Sequence, residues 1–429
     1  MRIELRGGRV VDPATGHDDV TNLFIEDGRI CAIGHRSDFA PMQIVDATGL
    51  VVCPGFIELS AHIPTGEAAI NTELRAATVG GVTTVCIPPR ADLLIDSPAA
   101  VELVHRRADA SRLARVEVFG ALTAGLKGEQ LGEMYTLAQA GCPAVSNGLE
   151  PIRSTEVMRR ALEYAATFDL TVLLHCRDPW LSEGRIVHGG RRSFDLGFDA
   201  EPEASETVAV ARDLLLIEQI GARAHFCRLT TARAVNMVSD ARARGLRVSA
   251  DVGMPYLFLT DDDIDGFDAR CHVRPPLRTH ADRATLGEAL ADARINCLTA
   301  DHQPHGPDAK MNPFSDTAPG ISGLDSLLPL ALRWMKDHDV PLLRGLATLT
   351  SEPANVLGLE RGSLAPGSVA DVCLFDPRAN VTIDSSTFIS HGHNTPFDGM
   401  KLCGRVLGTY VDGRLVHRSN ELQVANQAA

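Results

Sequence analysis

The chain has 429 residues, more than one ordinary domain but within reach of a single large barrel plus a smaller unit. Hydrophobic residues make up 45% and charged residues 22%, with 37 Gly and 24 Pro, the composition of a globular protein and not of a disordered or fibrous one. A formal charge of −14 excludes a broad nucleic-acid footprint, which needs clustered Lys and Arg, so a small anionic ligand would have to be met by local Arg.

The first stretch, "MRIELRGGRVVDP", lacks a basic segment followed by an apolar one, and no apolar run reaches the roughly 18 residues of a membrane span. A cytoplasmic protein without a membrane partner is expected. The 10 Cys show no regular close spacing, so they read as reduced thiols; Cys53, Cys86, Cys176, Cys227 and Cys297 lie on apolar runs and are expected to pack on core strands.

Residues 1–50 alternate in short strands, with "EDGR" as a hairpin turn. From residue 51 short apolar runs alternate with longer amphipathic ones. The expected strands are "LVVCPGFIEL", "GVTTVCIP", "RVEVFGAL", "CPAVS", "LTVLLHC", "RAHFCRL", "LRVSADV" and "INCLTAD". Between them, segments such as "DSPAAVELVHRRADASRL", "GEQLGEMYTLAQAG", "STEVMRRALEYAATFD", "ASETVAVARDLLLIEQIG" and "TARAVNMVSDARARG" read as helices, several opening on Ser, Thr or Asp and closing at Gly. Eight such repeats fit a (β/α)8 barrel. From about residue 360 the β-hairpin character returns, with "VADVCLFDP" and "GTYVDGRLVHR" around a second "DG" turn. The expected organisation is therefore a barrel over residues 51–359 and a small β-sandwich built from residues 1–50 and 360–429.

Barrel chemistry sits at the C-terminal ends of the strands. There the sequence places Ser60 and His62 after the first strand, Arg90 after the second and Ser146 and Asn147 at the fourth. The fifth ends in His175, the sixth in Arg228, and the eighth in Asp301, followed by His302 and His305. Imidazole and carboxylate are the usual zinc ligands, so His and Asp at three strand ends make a metal site a candidate, although each taken singly reads as an ordinary hydrogen-bonded residue.

The stretches "PGFIEL", "GGVTTV", "ALTAGLKGEQLGEM", "MRRALEYA", "VAVARDLLL", "RPPLRT", "DHQPH", "GISGLDSLLPL" and "NTPFDG" occur in an order that resembles the bacterial dihydroorotase branch of the amidohydrolase superfamily over nearly the whole chain. The resemblance implies a distorted (β/α)8 TIM barrel with a β-sandwich built from both ends. It also implies a metal site: a His-x-His pair on strand one, a bridging Asp on strand four, a His on each of strands five and six, and an Asp on strand eight. This sequence keeps His62, His175 and Asp301, the last in the position of the general base. The first His of the pair is Ser60, the bridging Asp falls at Asn147 or Gly148, and the strand-six His is Arg228. Lys127, Lys310, Lys336 and Lys401 lie away from the strand-four end, so no carboxylated lysine replaces the bridge. Of the positions that would hold dihydroorotate, the Arg after the His pair is Pro64, the Asn after strand two is Arg90, and the Asn before "PPLR" is Arg274.

A hydrolytic zinc needs about three protein ligands and an open position, and Arg228 puts a fixed positive charge where a dication would sit. The expectation is that Arg228 pairs with Asp301 in place of the metal. The resemblance then implies a non-catalytic dihydroorotase-like subunit that binds no cofactor and assembles with aspartate carbamoyltransferase, the preceding enzyme of pyrimidine synthesis, with self-association also open. Two alternatives remain: an active cyclic amidohydrolase with one zinc on His62, His175 and Asp301, and a small-anion binder using Arg90, Arg228 and Arg274.

Overall fold

The computed structural model describes residues 1–426. Eight parallel strands surround one interior: Phe56–Glu58, Val82–Ile87, Arg115–Val118 continuing at Gly120–Ala121, Ala144–Ser146, Thr171–Leu174, Ala224–Phe226, Val248–Gly253 and Cys297–Thr299. The third strand breaks at Phe119, so its first part pairs with the second strand and its last residues with the fourth. A parallel bridge between Ala61 and His302 joins the eighth strand to the first. All eight expected strands are present, in the expected order.

The interior is filled. Ile57, Cys86, Phe119, Ala144, Leu173 and Cys297 point inward and pack on Ala354, Val356 and Leu357 of the helix Ser351–Leu357. Thr171, at the start of its strand, donates to the Val356 carbonyl at 3.2 Å, so this helix closes the N-terminal end and leaves only the C-terminal end open to chemistry. Of the ten cysteines none is in a disulfide; Cys53, Cys86, Cys176 and Cys297 are buried, Cys227 is half-buried and Cys403 is exposed.

Helices wrap the barrel where amphipathic spacing and caps place them. Thr155–Thr167 opens on Ser154, whose Oγ accepts from the Val157 N–H, and Ala232–Ala243 opens on Thr231, whose Oγ1 accepts from Ala234. Ala204–Ile220 stops at Gly221, which takes φ +78°. One helix is shorter than its sequence suggests: in "GEQLGEMYTLAQAG" only Met134–Gln139 is helical. The residues before it run back along the end of the third strand, with the Gly132 N–H donating to Leu122 O at 2.9 Å. No helix among the described residues is long and apolar enough to cross a membrane.

Both chain ends enter one nine-stranded sheet. Arg2–Asp12 pairs antiparallel with His17–Glu26 and parallel with Gln43–Asp46 and Val51–Pro54, and Val51–Pro54 pairs antiparallel with Val372–Thr382. Both "DG" turns are tight hairpins with positive φ at each central residue, Asp27–Gly28 and Asp412–Gly413. The stretch "LVVCPGFIEL", read as one strand, is two. Val51–Pro54 belongs to the terminal sheet and Phe56–Glu58 to the barrel. They separate at Gly55, where a Cβ would overlap the Thr83 side chain of the second barrel strand.

Candidate functional site

At the open end, the retained Asp301 and the substituted Arg228 form a buried ion pair. Arg228 Nη1 lies 3.0 Å from Asp301 Oδ1, with side-chain exposures of only 4% and 3%. The same oxygen accepts from Ser60 Oγ at 3.3 Å and from Gln303 Nε2 at 3.1 Å. Ser60 thus makes a hydrogen bond to the carboxylate where a ligand imidazole would stand. Burial works against the Arg228 charge, but Asp301, together with Cys227, Tyr256 and Asp251, more than offsets it, and the guanidinium is held above its ordinary pKa. Both residues adopt left-handed backbone, φ +52° at Arg228 and +48° at Asp301, a conformation an arginine takes only when its surroundings compel it.

Those surroundings lie on strands six and seven. The Arg228 backbone N–H donates to Asp251 Oδ1 at 2.6 Å, and Asp251 Oδ2 meets His225 Nε2 at 2.9 Å. His225 Nδ1 in turn lies 2.7 Å from Ser249 Oγ. This network, which the sequence did not single out, fixes the turn that aims Arg228 across the mouth. Its signal was present as polar residues at alternate positions of "RAHFCRL" and "LRVSADV", the spacing that points side chains into the barrel.

The other two retained positions are imidazoles, His62 buried and His175 half-buried. His175 Nδ1 lies 3.3 Å from Arg228 Nη2, while the Nε2 atoms of both His62 and His175 are buried without a partner. Burial first, and the Arg228 charge second, push both rings well below the ordinary histidine pKa, so both are neutral. Asn147, at the bridge position, does not face them as a free donor. Its amide is tied to Leu126 O at 3.2 Å and Glu150 O at 2.8 Å, and its Oδ1 accepts from Thr123 at 2.6 Å. Beside it Gly148 has φ +60°, and a Cβ there would overlap Pro89 O.

As a donor set for a zinc ion this arrangement does not fit. The one carboxylate is occupied by a guanidinium, the bridge is an amide bonded to its own loop, and a cation touches His175. Among the described residues, the one trio of His, Cys, Asp or Glu with ligand atoms within 4.8 Å of one another is His225, Cys227 and Asp251, not His62, His175 and Asp301. That trio is already committed: His225 and Asp251 bond each other, and burial holds the Cys227 thiol well above its ordinary pKa. His302 and His305 are structural. His302 sits between Glu73 Oε2 at 3.0 Å and the Gly323 N–H at 3.0 Å, and His305 Nε2 meets Pro319 O at 2.9 Å.

Of the remaining positions, Arg90 turns back on Asp92, with Nε and Nη2 at 2.9 and 3.0 Å from its carboxylate. Pro64 is half-buried near it. Arg274 lines a cleft of about 420 Å³ between the loops that follow strands four, five, seven and eight. The sequence also missed Glu58, which accepts from the Ser60 N–H at 2.9 Å, the Ala300 N–H at 2.7 Å and the Thr299 hydroxyl, clamping strand one to strand eight. Burial pushes its carboxyl up to about 8 despite these donors.

Residues 49–234 match a family described as dihydro-orotase-like, and residues 197–417 match an amidohydrolase family. Over 97% of its length the chain is 46% identical to the whole of a dihydroorotase-like protein of Pseudomonas aeruginosa. It is 39% identical over 98% of its length to the whole of a dihydroorotase of Syntrophotalea carbinolica. Among solved structures, the L-hydantoinase (dihydropyrimidinase) of Arthrobacter aurescens superposes with a TM-score of 0.85 at 23% identity, covering 98% of this chain and 97% of that one. D-hydantoinase from Thermus gives 0.82 at 22% identity, covering 99% of this chain and 97% of that one, and both support the barrel with a β-rich unit.

Proposed function

The chain belongs to the dihydroorotase-like family of amidohydrolases, and from that membership we propose that it is a non-hydrolytic member that acts as a structural partner in pyrimidine synthesis. The observation that carries this reading is the Arg228–Asp301 pair. Asp301 is the one carboxylate at the retained positions, and its Oδ1 already accepts from a guanidinium, a hydroxyl and an amide, so its charge is spent on these donors and not on a metal or a metal-bound water. Arg228 neutralises it without supplying the Lewis acidity that lowers the pKa of bound water. The barrel meanwhile keeps its packed interior and its closed N-terminal end, which is what an assembly role demands of it. By the resemblance the partner is aspartate carbamoyltransferase, in a mixed oligomer in the cytoplasm.

A second reading has one observation in its favour. The buried, unpartnered Nε2 atoms of His62 and His175 are what ligand imidazoles leave behind, so one zinc held by them after Arg228 swings away would make a reduced cyclic amidohydrolase. Elemental analysis of protein purified without chelator and dialysed against zinc separates the two. The non-hydrolytic reading expects less than about a tenth of an equivalent of metal and co-sedimentation with the carbamoyltransferase. About one tightly held equivalent together with turnover of dihydroorotate would overturn it.

A further inference from the structure

Two of the ten cysteines stand directly opposite each other. In the antiparallel pairing of Val51–Pro54 with Val372–Thr382, Cys53 is the register partner of Cys373, and among the described residues no other two cysteines share a register. One comes from the N-terminal part of the composite sheet and the other from its C-terminal part, roughly 320 residues further along the chain. Side-chain alternation puts both on one face. Val52, Val372 and Leu374 point into the core of the terminal sheet, whereas Val51, Cys53, Cys373 and Phe375 point toward the barrel.

Both thiols are fully buried. The Gly55 N–H donates to Asp371 O at 2.9 Å, so Gly55 and Asp371 are a hydrogen-bonded pair, and two residues back along the alternation Cys53 and Cys373 are another. Such pairs hold their Cα atoms about 5.5 Å apart, inside the span of about 4.4–6.8 Å that a disulfide bridges. The two side chains also sense each other: burial first, and the Cys373 side chain next, push the Cys53 thiol well above its ordinary pKa. A Cβ on Gly81 would lie 2.7 Å from Cys373 Sγ, so the entry to the second barrel strand covers the pair.

We propose that Cys53 and Cys373 are a site of reversible disulfide formation, which fastens the two halves of the terminal sheet to each other under oxidising conditions. Glutathione disulfide is the co-reactant. One protein thiolate attacks a sulfur of the oxidant and displaces a glutathione thiolate; the second then attacks the protein sulfur of that mixed disulfide and displaces the other. Two electrons pass from the protein to the oxidant, and the two protons that the protein thiols lose end on the two glutathione thiols. Exchange waits on local opening of the sheet, because both sulfurs are buried, and the closed sheet then favours the bond by holding them together. Neither residue belongs to the site at the barrel mouth, so the inference is independent of the non-hydrolytic reading.

The test uses the full chain carrying Cys403→Ser, which removes the exposed thiol. It is equilibrated in a glutathione buffer from both the reduced and the oxidised side, with and without denaturing urea, then quenched in acid and digested without reductant. Mass spectrometry quantifies the peptide that links residues 53 and 373. The ratio of linked to free pair is expected to be at least about tenfold larger in native than in unfolded protein, which must close a loop of roughly 320 residues. Linked protein should melt about 5 °C above the reduced form, and dithiothreitol should reverse the shift. Cys53→Ala should abolish the linked peptide and the shift, while Cys86→Ala, which removes a buried thiol inside the barrel, should leave both unchanged. The native-to-urea comparison is read on the Cys403→Ser chain alone, so it decides the matter even where a further variant fails to fold. A native-to-urea ratio near one, a linked peptide joining any other two cysteines in its place, or unchanged melting of the linked protein would each overturn the site.

Discussion

Replacing Arg228 with Met removes the guanidinium and keeps most of the side chain's length. Asp301, 3% exposed, then keeps only Ser60 at 3.3 Å and Gln303 at 3.1 Å as donors. Breaking a buried pair by removing one partner costs about 3–5 kcal/mol, and the two surviving hydrogen bonds place this case near the lower end, about 3 kcal/mol. Asp301→Asn leaves the cation with only neutral partners, the new amide oxygen and the imidazole at 3.3 Å, and should cost about 4 kcal/mol. The double variant buries neither charge and should return to within about 1 kcal/mol of the parent. For a chain of this length 3 kcal/mol corresponds to a fall of roughly 3 °C in melting temperature. Urea midpoints read by circular dichroism give the full cycle. Additive costs in the double variant, or an Arg228→Met midpoint indistinguishable from the parent, would refute the pairing.

Acid sensitivity follows from the buried imidazoles. His62 and His175 are held well below the unfolded value near 6.5, and His188 and His272 are lowered to about 4, chiefly by burial. The unfolded chain therefore binds more protons below pH ~6.5, and stability should fall with acidification between about 6.5 and 4 by roughly 1.4 kcal/mol per pH unit for each such group. Glu58 acts in the opposite sense: its folded pKa of about 8 exceeds the unfolded value, so its stabilising contribution is complete in acid and is lost as pH rises toward 8. Urea midpoints across pH should peak near ~6.5, and Glu58→Gln should flatten the alkaline side; an unchanged slope would sink the assignment. Gly55→Ala, which drives a methyl into Thr83, should cost about 1–3 kcal/mol by the same assay. Native protein should react with a thiol reagent fastest at Cys403, the one exposed cysteine among the described residues, and Cys403→Ser should abolish that fast phase.

Most of the architecture was legible because barrel strands buried on both faces read as short apolar runs, and their helices carry ordinary caps. The single-strand reading of "LVVCPGFIEL" failed because hydrophobicity continues across Gly55 while the hydrogen-bonding partner changes from Arg2–Asp12 to the second barrel strand. At the site, residue type and the family resemblance together were enough to expect Arg228 against Asp301, since an arginine where a metal would stand and a carboxylate facing the same pocket have one inexpensive arrangement. It was not enough for Arg90, whose neighbour Asp92 captures it, nor for His302, which is claimed by Glu73 some 229 residues earlier in the chain. A hydrogen-bond partner so remote in sequence leaves no local pattern to read.

The terminal sheet also governs the order of events at the ribosome. Val51–Pro54 must wait for Val372–Phe375, roughly 320 residues further on, before its second edge is paired. At about 5–20 residues per second the delay is roughly 16–64 s, during which the N-terminal strands carry an open edge. The early segment therefore spends much of synthesis with an exposed strand while the barrel takes shape behind it. A chaperone that recognises unpaired β-edges has its longest opportunity there, and truncations that end before Val372 should leave chains aggregating through the uncovered Val51–Pro54 edge.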